Sequence, residues 1–432
     1  MKLQGTMSVN GNTLYIGGVS CLELRDKYQT PLYVFDEELV RNNCREYINN
    51  FKVKENNNRV AYAGKAFLPI YMCNLINEEG LYLDVVSGGE LYTAHKSGFP
   101  MERILFHGNN KTIDEVIMGI DLNVGRFVVD NFHELNLIES VCEKKDKVQK
   151  IYFRITPGIE AHTHDYIKTG QIDSKFGFTL ENGDLYNAIE KIKKYKHIKL
   201  VGIHAHIGSQ IFDVNPFLDE VKIMMELVKE IKEKYNIDIN EVDLGGGIGV
   251  YYTEKDSPKS IKEFCDAIIG KAESTCKDLG IKVPTLIIEP GRSIVANAGT
   301  TLYTIGSRKD IKDVRTYISV DGGMTDNIRP SLYQAVYECA IANKIGFDKV
   351  NQVTIAGKCC ESGDILINDT NIMEIESDDV LVVTSTGAYG YSMSSNYNKI
   401  PKPAVVSVMN GNSRLICKRQ SYDELLQLEL EY

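Results

Sequence analysis

The chain has 432 residues, of which 43% are hydrophobic and 25% are charged, as is ordinary for a soluble globular protein; the length predicts one large and one smaller domain. Its formal net charge of −10 and the lack of a long basic run argue against a nucleic-acid surface. No apolar run is long enough for a membrane span, and the first thirty residues do not follow the pattern of a signal peptide.

The elements predicted along the chain change character at Asp36. Residues 12–35 (NTLYIGGVS and TPLYVFD) predict short strands and turns without a helical period, and residues 36–51 predict a helix. A strand–helix alternation follows. Its predicted strands are 59–64, 81–86, 103–107, 126–130, 150–156, 199–207, 241–245 and 285–289. Its predicted helices include Gly88–Ser97, Thr112–Ile120, His133–Lys144, Gly183–Lys194, Val214–Lys234 and Ser260–Leu279.

Eight strand–helix units in roughly 250 residues are typical of a closed (β/α)₈ barrel. An open doubly wound sheet is the alternative, but no Gly-x-Gly-x-x-Gly follows the first strand. Past Gly299 the alternation gives way to short β-type runs. We therefore expect an α/β plus β fold, in which a barrel over residues 36–299 is inserted into a β-rich, sandwich- or barrel-like domain formed by residues 1–35 and 300–432.

The predicted strand ends carry polar residues or glycine, where the chemistry of a barrel is found. These residues are Lys65, Ser87, His107, Asp130, Arg154, His206, Gly245–Gly247 and Glu289. In the first unit, RVAYAGKAF predicts a buried strand that ends near Lys65. A lysine placed there is either a solvated strand cap or, when desolvated, an amine nucleophile.

Two motifs late in the barrel suit a phosphate. EVDLGGGIG (241–249) is a strand followed by glycines whose N–H groups can approach an anion, or else a tight turn without a ligand. EPGR (289–292) ends the eighth strand and supplies Arg292. Because barrels often bind phosphate near strands seven and eight, the two motifs together favour a phosphate site.

Histidine pairs offer a second kind of site. His204 and His206 are two residues apart on one strand and face the same side, and His162 and His164 repeat the spacing in a loop. No third ligand has convincing spacing, so we expect no metal. A ring that stacks on a ligand or a hydrogen-bonded core histidine is the preferred interpretation.

Three loops in the β-rich part have functional composition. CCESGD (359–364) offers a reactive thiol or merely a buried cysteine beside a turn. DGGMTDNIRPSLY (321–333) contains Arg329 and Tyr333, and the arginine is either solvated or a clamp for a carboxylate. GAYGYSMSSNY (387–397) is rich in glycine, serine and tyrosine. None of the ten cysteines forms Cys-x-x-Cys, which favours reduced thiols in a cytoplasmic protein.

A lysine, an acid, a phosphate cradle and a stacking histidine at one barrel mouth suit pyridoxal phosphate held as a Schiff base. In their order along the chain, YAGKAF, DVVSGGEL, HAHIGSQ, DLGGGIG, EPGR, DGGMTDNIRPSLY, CCESGD and GAYGYSMSSNYN resemble the diaminopimelate decarboxylases. This is a family of pyridoxal-phosphate-dependent enzymes with an alanine-racemase-like barrel. The resemblance covers essentially the whole chain.

The resemblance implies conversion of meso-2,6-diaminopimelate to L-lysine and carbon dioxide, the last step of lysine biosynthesis, in a homodimer. It implies that Lys65 is the Schiff-base lysine and that Cys360, acting from the partner subunit in this family, is the proton donor. The implied cofactor contacts are Lys65, Asp84, His206, Ser209, Gly246, Gly247, Glu289, Pro290, Gly291, Arg292 and Tyr389. The implied substrate contacts are Arg292, Arg329, Tyr333, Glu361 and Tyr389.

Two positions depart from the family pattern: Phe67 stands where many relatives have asparagine, and Cys359 adds a thiol beside the expected donor. Three alternatives stay open at this stage. A racemase on the same fold would carry an arginine at the pyridine nitrogen, where this chain has Glu289. A related decarboxylase of ornithine, arginine or carboxynorspermidine would differ in its loops. A non-catalytic binding homologue would need none of Lys65, Glu289 and Cys360.

Overall fold

The computed structural model of the chain describes residues 1–51, 57–159 and 174–430. The chain divides into two compact units. The first comprises Met1–Asn42, Val250–Ser257 and Ser293–Tyr432, and the second comprises Asn43–Gly249 and Pro258–Arg292. The predicted domain boundaries stay a prediction; the second unit lies within the predicted 36–299.

The strands and helices alternate in the middle of the chain, and strands dominate after it. The strands are β1 (Ser8–Asn10), β2 (Thr13–Ile16), β3 (Val19–Ser20), β4 (Leu32–Asp36), β5 (Arg59–Ala63), β6 (Tyr82–Val85), β7 (Ile104–Phe106), β8 (Arg126–Val129), β9 (Gln149–Thr156), β10 (Phe178–Thr179), β11 (Ile198–His204), β12 (Glu241–Asp243), β13 (Thr285–Ile288), β14 (Gly299–Ile311), β15 (Arg315–Val320), β16 (Cys339–Ile341), β17 (Asn351–Ala356), β18 (Ile365–Ile372), β19 (Val380–Val383), β20 (Ala404–Met409) and β21 (Asn412–Cys417).

The helices are α1 (Cys21–Tyr28), α2 (Glu37–Asn50), α3 (Ile70–Glu78), α4 (Gly88–Lys96), α5 (Ile113–Asp121), α6 (Phe132–Lys145), α7 (Asp184–Ile192), α8 (Asn215–Tyr235), α9 (Ile261–Leu279), α10 (Arg292–Val295), α11 (Arg329–Tyr333) and α12 (Tyr422–Leu426). In the described part of the chain, no helix combines the length and the apolar character that crossing a membrane requires.

The second unit is the closed barrel. Its parallel strands follow the order β9-β11-β12-β13-β5-β6-β7-β8, and β8 pairs with β9 to close the ring. All eight predicted barrel strands are confirmed to within a few residues. Apolar side chains from several strands, such as Ala61, Val128 and Ile287, form one buried cluster. The barrel therefore has a packed core.

The strand register brings polar side chains to one level at the carboxyl end of the barrel, which we call the mouth. His204 pairs with Arg154 on one side and with Asp243 on the other, and Asp84 pairs with Ala63 of the lysine strand. Sequence-distant polar residues thus become neighbours through strand pairing alone.

The first unit is β-rich, as predicted. Strand β4 lies between β14, which is antiparallel to it, and β20, which is parallel. The N-terminal segment TPLYVFD is therefore a central strand of this unit. Strands β1 to β3 form a separate three-stranded sheet, whose Leu14 and Ile16 share a core cluster with Val34 and Val406.

One prediction for the N-terminal segment was wrong, because residues 21–28 form helix α1 rather than strands and turns. The Ser20 side chain caps this helix by accepting a hydrogen bond from the Leu22 N–H at 3.2 Å. Cys21 and Leu24, three residues apart, bury one face. Eight residues are too few to display a clear helical period, so the cap is the informative signal. The His162–His164 pair lies outside the described residues.

Candidate active site at the barrel mouth

Lys65 lies just after β5, in a 3₁₀ turn over Gly64–Ala66. A Cβ at Gly64 would come within 2.9 Å of the Asp84 carbonyl oxygen, so the turn requires glycine. The Tyr62 hydroxyl fixes the far side of the turn by donating to the Phe67 carbonyl at 2.8 Å, and the Phe67 side chain is buried. Lys65 itself is exposed. The prediction of a lysine at the strand end is confirmed, and the residue is exposed rather than buried.

An acid held between two imidazoles lies at the centre of the mouth. Glu289 follows β13, and its Oε1 lies 2.7 Å from His107 Nε2 while its Oε2 lies 3.3 Å from His204 Nε2. The two rings meet edge to face with centroids 4.8 Å apart. Burial by itself would raise the pKa of Glu289, but its interactions with His107 and His204 hold that pKa well below the usual value. Glu289 is therefore an ionised buried carboxylate.

The pKa values of two neighbouring acids, Asp84 and Asp243, are raised, whereas that of Glu289 is lowered. Burial, together with the nearby charge of Glu289, raises the pKa of Asp84 to about 6 and that of Asp243 well above its usual value. Asp84 Oδ1 is 3.8 Å from His107 Nε2 and has no hydrogen-bond partner among the residues that the structure describes. Asp243 Oδ1 accepts a hydrogen bond from the Gly245 N–H at 2.9 Å. Environments that separate the pKa values of adjacent carboxyl groups are a mark of acid–base sites.

The same cluster has the composition of a metal site. Donor atoms of His107, His204, Asp243 and Glu289 lie within 4.8 Å of one another. However, the 2.7 Å contact between His107 and Glu289 is a hydrogen-bond distance. Two ligands at about 2.0–2.1 Å on a tetrahedral zinc ion would lie farther apart. We therefore interpret the cluster as an acid–imidazole network.

Glycines after β12 form a tight cradle beside this network. A Cβ at Gly245 would lie 2.8 Å from His206 Nδ1, and one at Gly246 would lie 2.2 Å from the Glu289 carbonyl oxygen. Gly247 has φ +123° and would clash with the Gly208 carbonyl at 2.3 Å. The Gly246 N–H donates to His206 Nδ1 at 3.2 Å, which fixes this ring against the cradle. The predicted neighbours His206, Gly246 and Gly247 are thus brought together.

The EPGR segment and Ser209 lie on the side of the mouth that is suited to bind an anion. Arg292 Nη2 donates to Ser209 Oγ at 2.9 Å. The Pro290 carbonyl accepts a hydrogen bond from the Ala63 N–H at 3.1 Å, and a Cβ at Gly291 would lie 2.9 Å from Ala63 Cβ. Strand-end packing therefore connects this segment to the strand that carries Lys65.

The residues at the mouth fit pyridoxal phosphate. The exposed Lys65 offers an amine for its aldehyde, and Glu289 offers a carboxylate for its ring nitrogen. A glycine cradle without room for side chains, next to the Arg292 guanidinium, suits its phosphate. Buried polar atoms without a hydrogen-bond partner in the described part of the chain, among them Asp84 Oδ1 and His204 Nδ1, indicate that the mouth is built for a polar ligand.

In the first unit, Arg329 is buried among aromatic rings. Its Nη1 donates to the hydroxyls of Tyr252, at 3.2 Å, and Tyr337, while its Cζ lies 5.2 Å and 5.7 Å from the centroids of these rings. No carboxylate in the described part of the chain comes within ion-pair distance of Arg329, which is 8% exposed. A buried guanidinium without a counter-charge is suited to bind an anionic ligand.

Asp364 organises the loop that carries Cys360 and Glu361. Its Oδ2 accepts the Cys359 N–H at 2.8 Å, and its Oδ1 accepts the Met324 N–H at 2.6 Å. Cys360 and Glu361 are exposed, whereas Cys359 is buried. Burial raises the pKa of the Cys359 thiol to about 11, so this thiol stays protonated at neutral pH.

Two other loops of the first unit form hydrogen bonds with the loop that carries Cys360 and Glu361. The Cys360 N–H donates to Asn398 Oδ1 at 2.8 Å, and Ser331 Oγ donates to the Gly363 carbonyl at 2.7 Å. Tyr389 is half-buried with φ +61°, a conformation that a non-glycine residue rarely adopts. The loops with Arg329, Tyr333, Cys360, Glu361 and Tyr389 are thus connected within one unit.

The sequence-based site was incomplete in five positions. His107 and Asp243 are members of the acid network, Tyr252 and Tyr337 surround Arg329, and Asp364 holds the cysteine loop. His107 was noted only as a strand-end residue. The contacts of the other four residues depend on strand register and loop conformation, which no local pattern shows. Tyr252 lies 77 residues from Arg329, Tyr337 lies 8 residues from Arg329, and Asp364 lies 5 residues from Cys359.

Comparison with known proteins identifies the family of the chain. Residues 37–296 match the family described as pyridoxal-dependent decarboxylase, pyridoxal binding domain. The chain is 50% identical over 433 residues to the diaminopimelate decarboxylase of Bacillus subtilis, covering 100% of this chain and 99% of the relative. It is 51% identical over 421 residues to that of Bacillus methanolicus, covering 97% and 98%.

A solved structure supports the same family assignment. The diaminopimelate decarboxylase of M. jannaschii in co-complex with L-lysine superposes with a TM-score of 0.93 at 37% identity, covering 99% of this chain and 98% of that one. The chain belongs to the diaminopimelate decarboxylase family of pyridoxal-dependent decarboxylases.

Proposed function

We propose that this protein uses pyridoxal phosphate to decarboxylate meso-2,6-diaminopimelate to L-lysine and carbon dioxide, the last step of lysine biosynthesis. The observation that carries the proposal is the buried Glu289 side chain, whose Oε1 lies 2.7 Å from His107 Nε2 at the mouth that also presents Lys65. A carboxylate there keeps a pyridine nitrogen protonated, which decarboxylation requires of the cofactor. The racemase alternative would need an arginine at this position.

Pyridoxal phosphate, when bound, supplies an electron sink for the electron pair left behind as the carboxylate departs. In our proposal Lys65 Nζ would hold the cofactor through its aldehyde. Glu289 would keep the ring nitrogen protonated, and His206 would pack against the ring. Ser209, Arg292 and the glycines of the cradle bind the phosphate.

The proton that replaces the lost carboxylate comes, in this proposal, from the thiol of Cys360. Cys360 is exposed on its loop, as a donor that must reach a substrate has to be, whereas the Cys359 thiol is buried. Asp364 fixes the backbone of this loop at Cys359, immediately before the donor. The loop thus supports a defined position for the thiol.

Arg329 supports recognition of a second carboxylate, which distinguishes diaminopimelate from lysine and from basic amino acids. Two tyrosines hold its guanidinium, and its positive charge lacks an acidic partner in the described part of the chain. A ligand carboxylate would supply that partner, and a substrate without one would leave the buried charge unpaired. We propose Tyr333, Glu361 and Tyr389 as further substrate contacts and Arg292 as a contact of both cofactor and substrate.

We also propose that the working unit is a homodimer, with Cys360 of the partner subunit acting at each barrel mouth, and that it is cytoplasmic. The exposure of Cys360 and Glu361 is consistent with residues that serve another subunit. All ten cysteines are free thiols, as expected in a reducing compartment.

One assay with purified holoenzyme tests the proposal. It offers meso-diaminopimelate, ornithine, arginine, and D- and L-alanine, and it measures carbon dioxide, lysine and racemised alanine. We expect carbon dioxide and lysine in equal amounts from diaminopimelate alone. Turnover of ornithine or arginine at a comparable kcat/KM would favour the related decarboxylases, and racemised alanine without carbon dioxide would favour the racemase.

A further inference from the structure

We infer that His107 is a positioning residue for Glu289, and that its Nε2–H and the ring of His204 hold the carboxylate in one orientation at the barrel mouth. The inference rests on the proposed function and deepens it. It adds two residues to the machinery that keeps the cofactor ring protonated.

The geometry defines the proton of His107. Its Nε2 lies 2.7 Å from Glu289 Oε1, and an ionised carboxylate can only accept, so the imidazole donates from Nε2. The His107 N–H donates to the Val85 carbonyl at 2.8 Å, which fixes the backbone beneath the ring. Glu289, at 7% exposure, and His107, at 4%, leave little room for another rotamer.

His204 restricts the other oxygen. Its Nε2 lies 3.3 Å from Glu289 Oε2, and burial lowers its pKa to about 3, so the ring is neutral. The two rings pack edge to face with centroids 4.8 Å apart, so each ring helps to fix the other beside the carboxylate. The two imidazoles therefore contact both oxygens of the carboxylate and restrain its orientation.

The acidic groups around Glu289 explain why its negative charge needs the two imidazoles. Three other buried acids interact with Glu289: Asp84 on β6, Asp243 on β12 and Glu220 on α8. Burial and the repulsion between these groups raise the pKa of all three. Arg154 on β9 supplies positive charge in the same region.

Glu289 differs from these acids in its pair of imidazoles. Without the His107 hydrogen bond it would lose a main source of stabilisation for its anion, and it would take up a proton more readily, as its neighbours do. A protonated, neutral Glu289 would lack the negative charge that keeps the ring nitrogen of the cofactor protonated. The His107 donor therefore serves the electronics of the site through Glu289, without contacting the reacting atoms.

The test measures cofactor binding rather than turnover. Apoenzymes of the wild type, His107→Ala, His107→Met and His107→Gln are titrated with pyridoxal phosphate and followed by visible absorbance. We expect Kd to rise about tenfold or more for the Ala and Met variants, because neither donates a hydrogen bond. Glutamine places an N–H near the same position and should restore Kd to within about threefold. His133→Ala, an exposed histidine on α6, is the control and should leave Kd unchanged.

A double-mutant cycle separates positioning from general structural damage. On a Glu289→Gln background, we expect His107→Met to change Kd by less than about threefold, since the carboxylate that His107 positions is gone. An equal loss on both backgrounds, or wild-type affinity in the Ala and Met variants, would overturn the inference. Failure of the wild type to bind the cofactor would instead refute the proposed function. The Met variant preserves the volume of the ring, so the comparison stands if the Ala variant does not fold.

Discussion

The Arg329 guanidinium donates to the Tyr252 hydroxyl at 3.2 Å and lies 5.2 Å from the centroid of the same ring. A single tyrosine thus binds the cation through both its hydroxyl and its face, and Tyr337 repeats the arrangement from a second side. These aromatic contacts immobilise the guanidinium without neutralising it.

Arg329→Lys should therefore impair the use of a dicarboxylate substrate. Lysine retains the charge but lacks the planar fork that pairs with a carboxylate and stacks on the tyrosines. We expect kcat/KM for meso-diaminopimelate to fall about a hundredfold, or roughly 3 kcal/mol of transition-state stabilisation. Steady-state kinetics measure it, with exposed Arg308→Lys as the matched control. An unchanged kcat/KM would remove Arg329 from the substrate site.

Cys360 and Cys359 should differ sharply when each is replaced by alanine. Cys360 is exposed, whereas Cys359 is buried and its pKa is raised to about 11, first of all by burial and then by Asp364. We expect Cys360→Ala to lower kcat about a hundredfold or more, the usual size of a proton-transfer contribution, and Cys359→Ala to have a small effect. The reverse order would mean that the other thiol is the donor.

If each active site of the proposed dimer combines Lys65 of one subunit with Cys360 of the other, two inactivating variants should restore activity when their subunits are mixed. Lys65→Ala and Cys360→Ala homodimers should both have at most about a hundredth of wild-type activity, but a mixed dimer regains one site with both native residues. After subunit exchange of an equal mixture, we expect roughly a quarter of wild-type activity, since half of the dimers are mixed. Size-exclusion chromatography checks the dimer. Activity that stays at background in an exchanged mixture would show that each subunit uses its own cysteine.

Glu241 should stabilise the barrel in a pH-dependent way. It lies at the start of β12 and accepts hydrogen bonds from Arg126 (2.9 and 2.8 Å), Arg59 (2.7 Å) and Tyr152. Burial alone would raise its pKa, but the hydrogen bonds and charge of Arg126 lower it to about 2. Because the folded-state pKa is depressed, its contribution of about 2–3 kcal/mol is present above the unfolded-state value near 4.5 and is lost as the pH falls toward 2.

Glu241→Gln should accordingly destabilise the protein at pH 7 and flatten the loss of stability on acidification. Urea unfolding at pH 7 and at about pH 3, followed by far-UV circular dichroism because the chain has no tryptophan, measures the free energy of unfolding. The control is Glu143→Gln, an exposed position on α6. Parallel pH profiles for wild type and Glu241→Gln would disprove the role of this network.

Much of the barrel could be predicted from the sequence because its signals are local. Strands such as β5 and β13 are short apolar runs that end in a polar or glycine residue, and helices such as α9 show both a helical period and a serine cap. Helix α1 escaped prediction because eight residues give too little periodicity. Local pattern thus identifies elements when they are long or repeated.

The partners within the site could not be predicted in the same way. His107 and Glu289 are 182 residues apart, and Arg329 and Tyr252 are 77 apart. Their contacts depend on strand register and loop packing, which a single sequence does not display. The residues named from the family resemblance concern direct contacts with ligands, whereas residues that hold those contacts in place, such as Asp364, emerged only from the structure.

The most direct test of the whole account is to locate the cofactor on the chain. Purified holoenzyme is reduced with borohydride, digested, and analysed by mass spectrometry for the pyridoxal phosphate adduct, with Lys65→Ala treated in parallel. We predict that the adduct occurs on the peptide containing Lys65, and that the variant lacks both the adduct and the visible absorbance of bound cofactor. An adduct on another lysine, or visible absorbance that persists in Lys65→Ala and disappears with borohydride, would contradict the assignment of the barrel mouth as the catalytic site.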